Sequence, residues 1–296
     1  MPTMENRTGW LPTPGPEQSR LDAFFVPFRG QGLSETDWER SVAWDSVDPI
    51  IGKEFWTQYQ LWQDCVAFGA KKVFEAIMAD EIVRLGQSEK WRPIFAPWVY
   101  AVCRCAPEGG GGRLRGDGAF GGWVAATIGY GLLALDEPNV PKYSASVSKS
   151  WGNCNGWKAF AEIAKPHFMK SAAKINSAQE LADACTNKYW CTIAGNREFT
   201  SSLVKRGGKG WYGRGRRYAH QTAILGFDIN PEPCFYDSNQ WPDFATDQTD
   251  GPVGGGWRTF DYVDKELRSG DVECYAFSGF EGFPAIPFKP NLSLGA

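Results

Sequence analysis

Histidine is almost missing from this chain: His167 and His220 are the only two in 296 residues. Chemistry that needs an imidazole is therefore confined to one of two positions. An excess of charge of one sign is missing too, since 31 basic side chains face 34 acidic ones for a net charge of −3. That balance gives no global pull toward nucleic acid or an anionic membrane. No apolar run approaches the roughly 18 residues that a membrane-spanning helix needs. The opening Met1-Pro2-Thr3-Met4-Glu5-Asn6-Arg7 lacks the apolar core of a secretion signal, so synthesis in the cytoplasm is expected. Eight cysteines in such a chain are expected to be free thiols, not a disulfide framework. Neither Cys103 with Cys105 nor Cys185 with Cys191 is joined by a second Cys or His pair at zinc-site spacing, so no metal and no organic cofactor is expected. No internal repeat is present.

Aromatic residues, by contrast, are abundant: 14 Trp, 10 Tyr and 19 Phe can build large cores, ligand walls or assembly interfaces. The length suits one large domain or two lobes around a cleft. With 43% apolar and 22% charged residues the composition is that of an ordinary globular protein.

Along the chain, residues 1–40 are punctuated by Pro and Gly, as in Pro12-Thr13-Pro14-Gly15-Pro16, and read as an extended arm. From Asp64 onward, Cys65, Val66, Ala67, Phe68, Ala70, Val73, Phe74, Ile77 and Met78 recur at helical spacing, which predicts a buried helix starting at Asp64 or Cys65. Further helices are predicted over 91–106 and from Trp123 to about Leu135, with a Gly-rich loop between. Ser177 and Glu180 form a capping-box pattern, so another helix begins there. After it, Tyr189–Ala194, Gln221–Phe227 and Glu232–Asp237 are short apolar runs bounded by Gly, Pro and Asn, as strands are. Helices first and strands second point to an α+β protein with a helical lobe at about 41–150, a sheet lobe at about 151–275 and a tail over 276–296.

His167 lies in a polar connection with nothing reactive beside it. His220 opens the apolar stretch that ends in Gly226-Phe227, where a strand can hold it rigidly at a cleft edge, although a lone strand histidine is more often structural. Cys65 sits at a helix start, where the positive end of the dipole favours a thiolate. A free buried cysteine is nevertheless most often a small hydrophobe. What distinguishes them is their company. Gln60-Leu61-Trp62-Gln63-Asp64-Cys65, then Gly118-Ala119-Phe120-Gly121-Gly122 and Tyr130-Gly131, then His220 through Gly226-Phe227, then Asn239-Gln240-Trp241 stand in the order and wording of the papain family. Over about residues 35–245 the chain resembles that family of cysteine peptidases. It departs at Trp62 and Ala119, where the family commonly has a disulfide, and at Tyr59, where the glutamine of the oxyanion hole usually stands.

The resemblance implies a two-lobed fold, with the helical lobe carrying the Cys and an antiparallel sheet or barrel lobe carrying the His and Asn. It implies Cys65 as nucleophile, His220 as base, Asn239 orienting that base and Gln60, in preference to Gln58, in the oxyanion hole. Gly121, Gly122 and Trp241 would serve substrate binding, and the substrate would be protein or cell-wall peptide. The alternative is a structural component of a larger assembly such as a virion, with or without activity. Aromatic residues in both Pro- and Gly-rich ends, among them Trp10, Phe24, Phe25, Phe28, Phe277 and Phe280, suggest protein partners held through those ends. Residues 205–217 carry six cations and two aromatics in thirteen positions and could take an anionic ligand; the alternative is a solvated loop.

Overall fold

A computed structural model of the chain describes residues 8–25, 27–28, 35–86, 91–241, 244–245 and 250–280. Its helices are α1 (Gly15–Phe24), α2 (Trp44–Ile50), α3 (Cys65–Leu85), α4 (Ala96–Cys105), α5 (Gly121–Ala126), α6 (Ala145–Gly152), α7 (Ala161–Ala164), α8 (Ala178–Thr186) and α9 (Phe260–Arg268). Its strands are β1 (Ser41–Val42), β2 (Met169–Lys174), β3 (Cys191–Phe199), β4 (Val204–Arg206), β5 (Lys209–Trp211), β6 (Arg216–Asp228), β7 (Cys234–Ser238), β8 (Gly255–Thr259) and β9 (Val272–Phe280). The strands form one sheet in the order β2-β9-β3-β6-β7-β8-β5-β4, with β1 added to β6. Every pairing is antiparallel except β5 with β8. Among the described residues no helix is long and apolar enough to cross a membrane.

The central element is α3, which packs across β6, β3 and β9. From Cys65 to Asp80 all its residues are buried, Lys71, Lys72, Glu75 and Asp80 among them. Its polar side chains are each answered: Lys71 pairs with Glu75 at 2.6 Å, and Asp80 accepts the Trp190 indole N–H at 2.6 Å. Helix α8 carries the expected cap, in which Ser177 Oγ accepts the Glu180 N–H at 3.2 Å while Glu180 reaches back to the Asn176 N–H at 2.6 Å. The stretch from Trp123 is shorter than its pattern suggests. Gly131 takes φ +85, and a Cβ there would collide with the Ala164 carbonyl, so the helix gives way to a turn.

Several expectations are corrected. The first forty residues are not extended throughout: Pro16 stands in the first turn of α1, where its missing N–H costs nothing. Trp10, Leu21 and Phe25 of the arm are buried in the main core of their own chain, while Phe24 is 56% exposed. The tail does not begin at 276, since β9 runs to Phe280 and Phe277 is in the core, while residues 281–296 lie outside the described residues. Not all cysteines are free: Cys105 and Cys154 form a disulfide, 49 residues apart, with the other six buried as thiols. The basic segment is an edge hairpin of β4 and β5 turning through Gly207 and Gly208, both at positive φ. Arg206 pairs with Glu232, Lys209 is buried against Asp228 at 2.9 Å, and Arg217 approaches Glu198 at 3.6 Å.

Candidate active site

Cys65 is the first residue of α3, and β6 crosses over it. Gln221, the residue after His220, donates its side-chain amide to the Val66 carbonyl at 2.7 Å. The side-chain amide of Gln240 ties the two segments together, donating to the Gln221 carbonyl at 2.6 Å and to the Cys65 carbonyl at 3.4 Å. Three segments remote in sequence are thereby fixed around one point.

On the other side of that point, His220 Nε2 lies 2.9 Å from Asn239 Oδ1. An amide oxygen can only accept, so Nε2 carries the proton and Nδ1 keeps a lone pair. Nδ1 is buried and makes no hydrogen bond. Opposite His220 in the β3–β6 ladder stands Gly195, which places no side chain against the ring. Asn239 is itself held, its main-chain carbonyl accepting from buried Lys72 at 2.7 Å and its N–H donating to the Gly254 carbonyl at 2.8 Å. Trp241 stacks on the imidazole with centroids 4.2 Å apart and also packs against Phe199, Tyr218 and Phe244. Only 2% exposed, it covers the histidine, whereas the resemblance had placed it in substrate binding.

Residues 8–14 run through this place. The Trp10 N–H donates to the carbonyl of Ala219, the residue before His220, at 3.4 Å. The Leu11 N–H donates to the Ala119 carbonyl at 3.0 Å, and the Ala119 N–H to the Gly9 carbonyl at 2.8 Å, so the arm lies parallel to the Gly118–Ala119 segment. Both glycines allow this approach: a Cβ at Gly9 would collide with the Gln63 carbonyl, and one at Gly118, which has φ +87, would come within 2.6 Å of the Gly9 carbonyl. The backbone pairing expected of Gly121 and Gly122 is thus made by Ala119 instead. Gly121 and Gly122 open α5, and the Gly122 N–H donates to Glu273 at 2.9 Å.

Enclosure sets the electrostatics. Burial pushes the Cys65 thiol up to about 12, with the neighbouring Asp64 adding to the rise and the N–H groups of Gln221, Gly9 and Trp10 opposing it. The thiolate expected from the helix dipole is therefore not the form present beneath the arm, because desolvation outweighs the dipole. Burial likewise lowers His220 to about 4, against the hydrogen bond it donates to Asn239 and the charge of Asp237. Asp64, buried and hydrogen-bonded to Ser148 at 2.5 Å, is raised to about 6. Gln60 is buried two residues from Trp62, whose carbonyl its side-chain amide engages, while Gln58 is engaged by Lys71. Among the described residues no group of three His, Cys, Asp or Glu is placed to hold a metal.

No protein-family model and no curated protein matches the sequence; the likeness is one of structure. Xylellain, a cysteine protease from Xylella fastidiosa, superposes with a TM-score of 0.60 at 11% identity, over 92% of this chain and 96% of its own. The chain has a papain-like fold. Procathepsin B S9 from Trypanosoma congolense, with a TM-score of 0.55 at 11% identity over 93% and 88% of the two chains, matches the same papain-like architecture. So does digestive procathepsin L2 from the Tenebrio molitor larval midgut, at 0.53 and 13% over 92% and 79%. Within this papain-like frame, sequence reasoning singled out Cys65, His220 and Asn239, and missed the backbone pairing of Ala119, the ties made by Gln221 and Gln240, and the buried carboxylate of Glu273. None of those four has a local pattern to betray it; each matters only through neighbours far along the chain.

Proposed function

We propose that the chain is a cysteine peptidase held latent by its own residues 8–14. The observation that carries the reading is the pair His220 and Asn239, with Nε2 engaged and Nδ1 buried and idle, tied through the side chains of Gln221 and Gln240 to the start of the helix that Cys65 opens. Two of the matching structures are of procathepsins, which are proforms, and this supports reading the arm as an inhibitory segment.

Once the arm leaves, water reaches the thiol and the burial that holds it protonated is relieved. The helix N-terminus then favours the anion. His220 Nδ1 takes the proton from Cys65, and the sulfur attacks a peptide carbonyl carbon, forming a C–S bond. The oxyanion is received by the Cys65 N–H and the Gln60 amide, donors worth about 3 kcal/mol each in such sites. His220 returns the proton to the amine nitrogen as the C–N bond breaks, leaving a thioester. Water, deprotonated by His220, attacks the thioester and releases a carboxylic acid and the thiol. Asn239 keeps the ring in the tautomer that this relay needs, and Trp241 shields their bond.

The full-length chain carrying Gly9→Val tests this, since the new side chain collides with Gln63 and dislodges the arm. Hydrolysis of a mixed library of quenched peptides is expected to rise on the order of a hundredfold over the unaltered chain, because only the open fraction acts. It should vanish when Cys65→Ala is added. An unaltered rate, or one indifferent to Cys65, would leave the alternative of a structural component with a papain-like fold.

A further inference from the structure

The basic segment and α9 enclose a cavity of about 850 Å³, and none of the residues proposed for the reaction lines it. Helix α9 turns one stripe toward it: Tyr262, Lys265, Glu266 and Ser269 stand three and four residues apart and so share a helix face. The β4–β5 hairpin and the segment after it bring Arg206, Trp211, Tyr212 and Arg214. Glu198 of β3, Arg217 of β6 and Asp271 just before β9 also line the space.

Most of the charges around the cavity have partners. Arg258 is buried against Asp237 at 2.6 Å and lies over the Tyr212 and Tyr262 rings, 4.4 and 5.3 Å from their centroids, which fixes both rings in the wall. Glu266 holds buried Arg197 at 3.0 Å. Arg206 lies over Trp211 and pairs with Glu232. Arg217 is 65% exposed and only approaches Glu198, at 3.6 Å. Three lining charges are left over: among the described residues Arg214, Lys265 and Asp271 make no ion pair, and all three are exposed.

We propose that this cavity binds a nucleoside phosphate, with the phosphate on Arg214 and Lys265, the base against Tyr212 or Tyr262, and amino or hydroxyl groups on Asp271 and Glu198. The inference stands apart from the peptidase reading. The volume is that of a small-molecule site. A guanidinium fork and an ammonium are the usual partners of a phosphate, and a half-buried ring is a platform for a flat base. The carboxylates decide between anions. They accept hydrogen bonds from a ligand whose far end is neutral and rich in donors, whereas a uniformly sulfated polysaccharide would bring its charge against them and be repelled. A free nucleotide and one unit of a single strand offer the same chemistry.

The test is calorimetric titration of the unaltered full-length chain with adenosine 5′-monophosphate, adenosine, inorganic phosphate, a single-stranded oligoadenylate and heparin. Adenosine 5′-monophosphate should bind once per chain and on the order of tenfold or more tightly than adenosine or inorganic phosphate, because it alone reaches both kinds of partner. An oligoadenylate that binds more tightly still points to a strand as the source, and one that binds less tightly to a free nucleotide; either result upholds the site. Arg214→Ala with Lys265→Ala should weaken the monophosphate on the order of a hundredfold, two charge-assisted contacts being lost. Arg214→Glu alone, which leaves α9 untouched, should weaken it on the order of tenfold or more and serves if the double variant does not fold. No binding of the monophosphate, binding no tighter than that of inorganic phosphate, binding indifferent to these substitutions, or heparin as the only ligand overturns the inference.

Discussion

At the scale of single residues, His220 and Asp64 respond to acid in opposite senses. An unfolded imidazole takes up a proton near 6.5, whereas buried His220 resists it until about 4. The folded chain therefore loses stability as pH falls across that window. Asp64, raised to about 6 from an ordinary 3.8, takes up its proton first in the folded chain and adds stability as pH falls through 6. Replacing His220 by Gln removes the first effect and leaves the second. Between pH 7 and 4.5 the variant should gain about 2 kcal/mol relative to the unaltered chain, as urea unfolding at the two pH values would read. Parallel pH dependences would contradict the assignment. Lys72, lowered by burial to about 7, holds the carbonyl of Asn239 and the hydroxyl of Ser238. Its replacement by Met in the opened chain should lower kcat on the order of tenfold with little change in KM, since it positions Asn239 and is proposed to touch no substrate. A raised KM with unchanged kcat would place it in binding instead. His220 was legible because histidine is so scarce, and Asn239 because Trp241 stands two residues on. Lys72 and Glu273 were not, since a charged residue inside an apolar pattern reads as a solvated face until its partner is seen.

At the scale of elements, α3 was readable from its apolar spacing and α8 from its cap, because both signals are local. Helix α1 was misread because prolines and glycines outweighed a weak pattern, although a proline in the first turn is a helix start. The Gly121-Gly122 wording was placed correctly in the chain but three residues from the segment that pairs with the arm. What decided between them was the close approach of Gly118 and Gly9, which no local pattern carries. The disulfide between Cys105 and Cys154 was equally hidden, since it joins the end of α4 to the loop after α6. Closing a loop of 49 residues, it should contribute about 4 kcal/mol. Cys154→Ser would lower the urea midpoint accordingly; an unchanged midpoint would mean that the bond does not form.

At the scale of the whole molecule, the proposed latency rests on the chain's own residues 8–14, which run beside Gln63, Ala119 and Ala219. The α+β class followed from the order of helices and strands and the papain-like fold from the resemblance, but the arm's destination did not, because its contacts with Ala119, Gln63 and Glu273 span most of the sequence. The measurement that tests this account most directly is alkylation of the full-length chain by a thiol-directed peptide electrophile, with each labelled cysteine mapped. In the unaltered chain Cys65 should label slowly. In Gly9→Val labelling should become fast and confined to Cys65, and addition of His220→Ala should abolish that advantage. Uniform slow labelling of several cysteines in Gly9→Val, indifferent to His220, would contradict it.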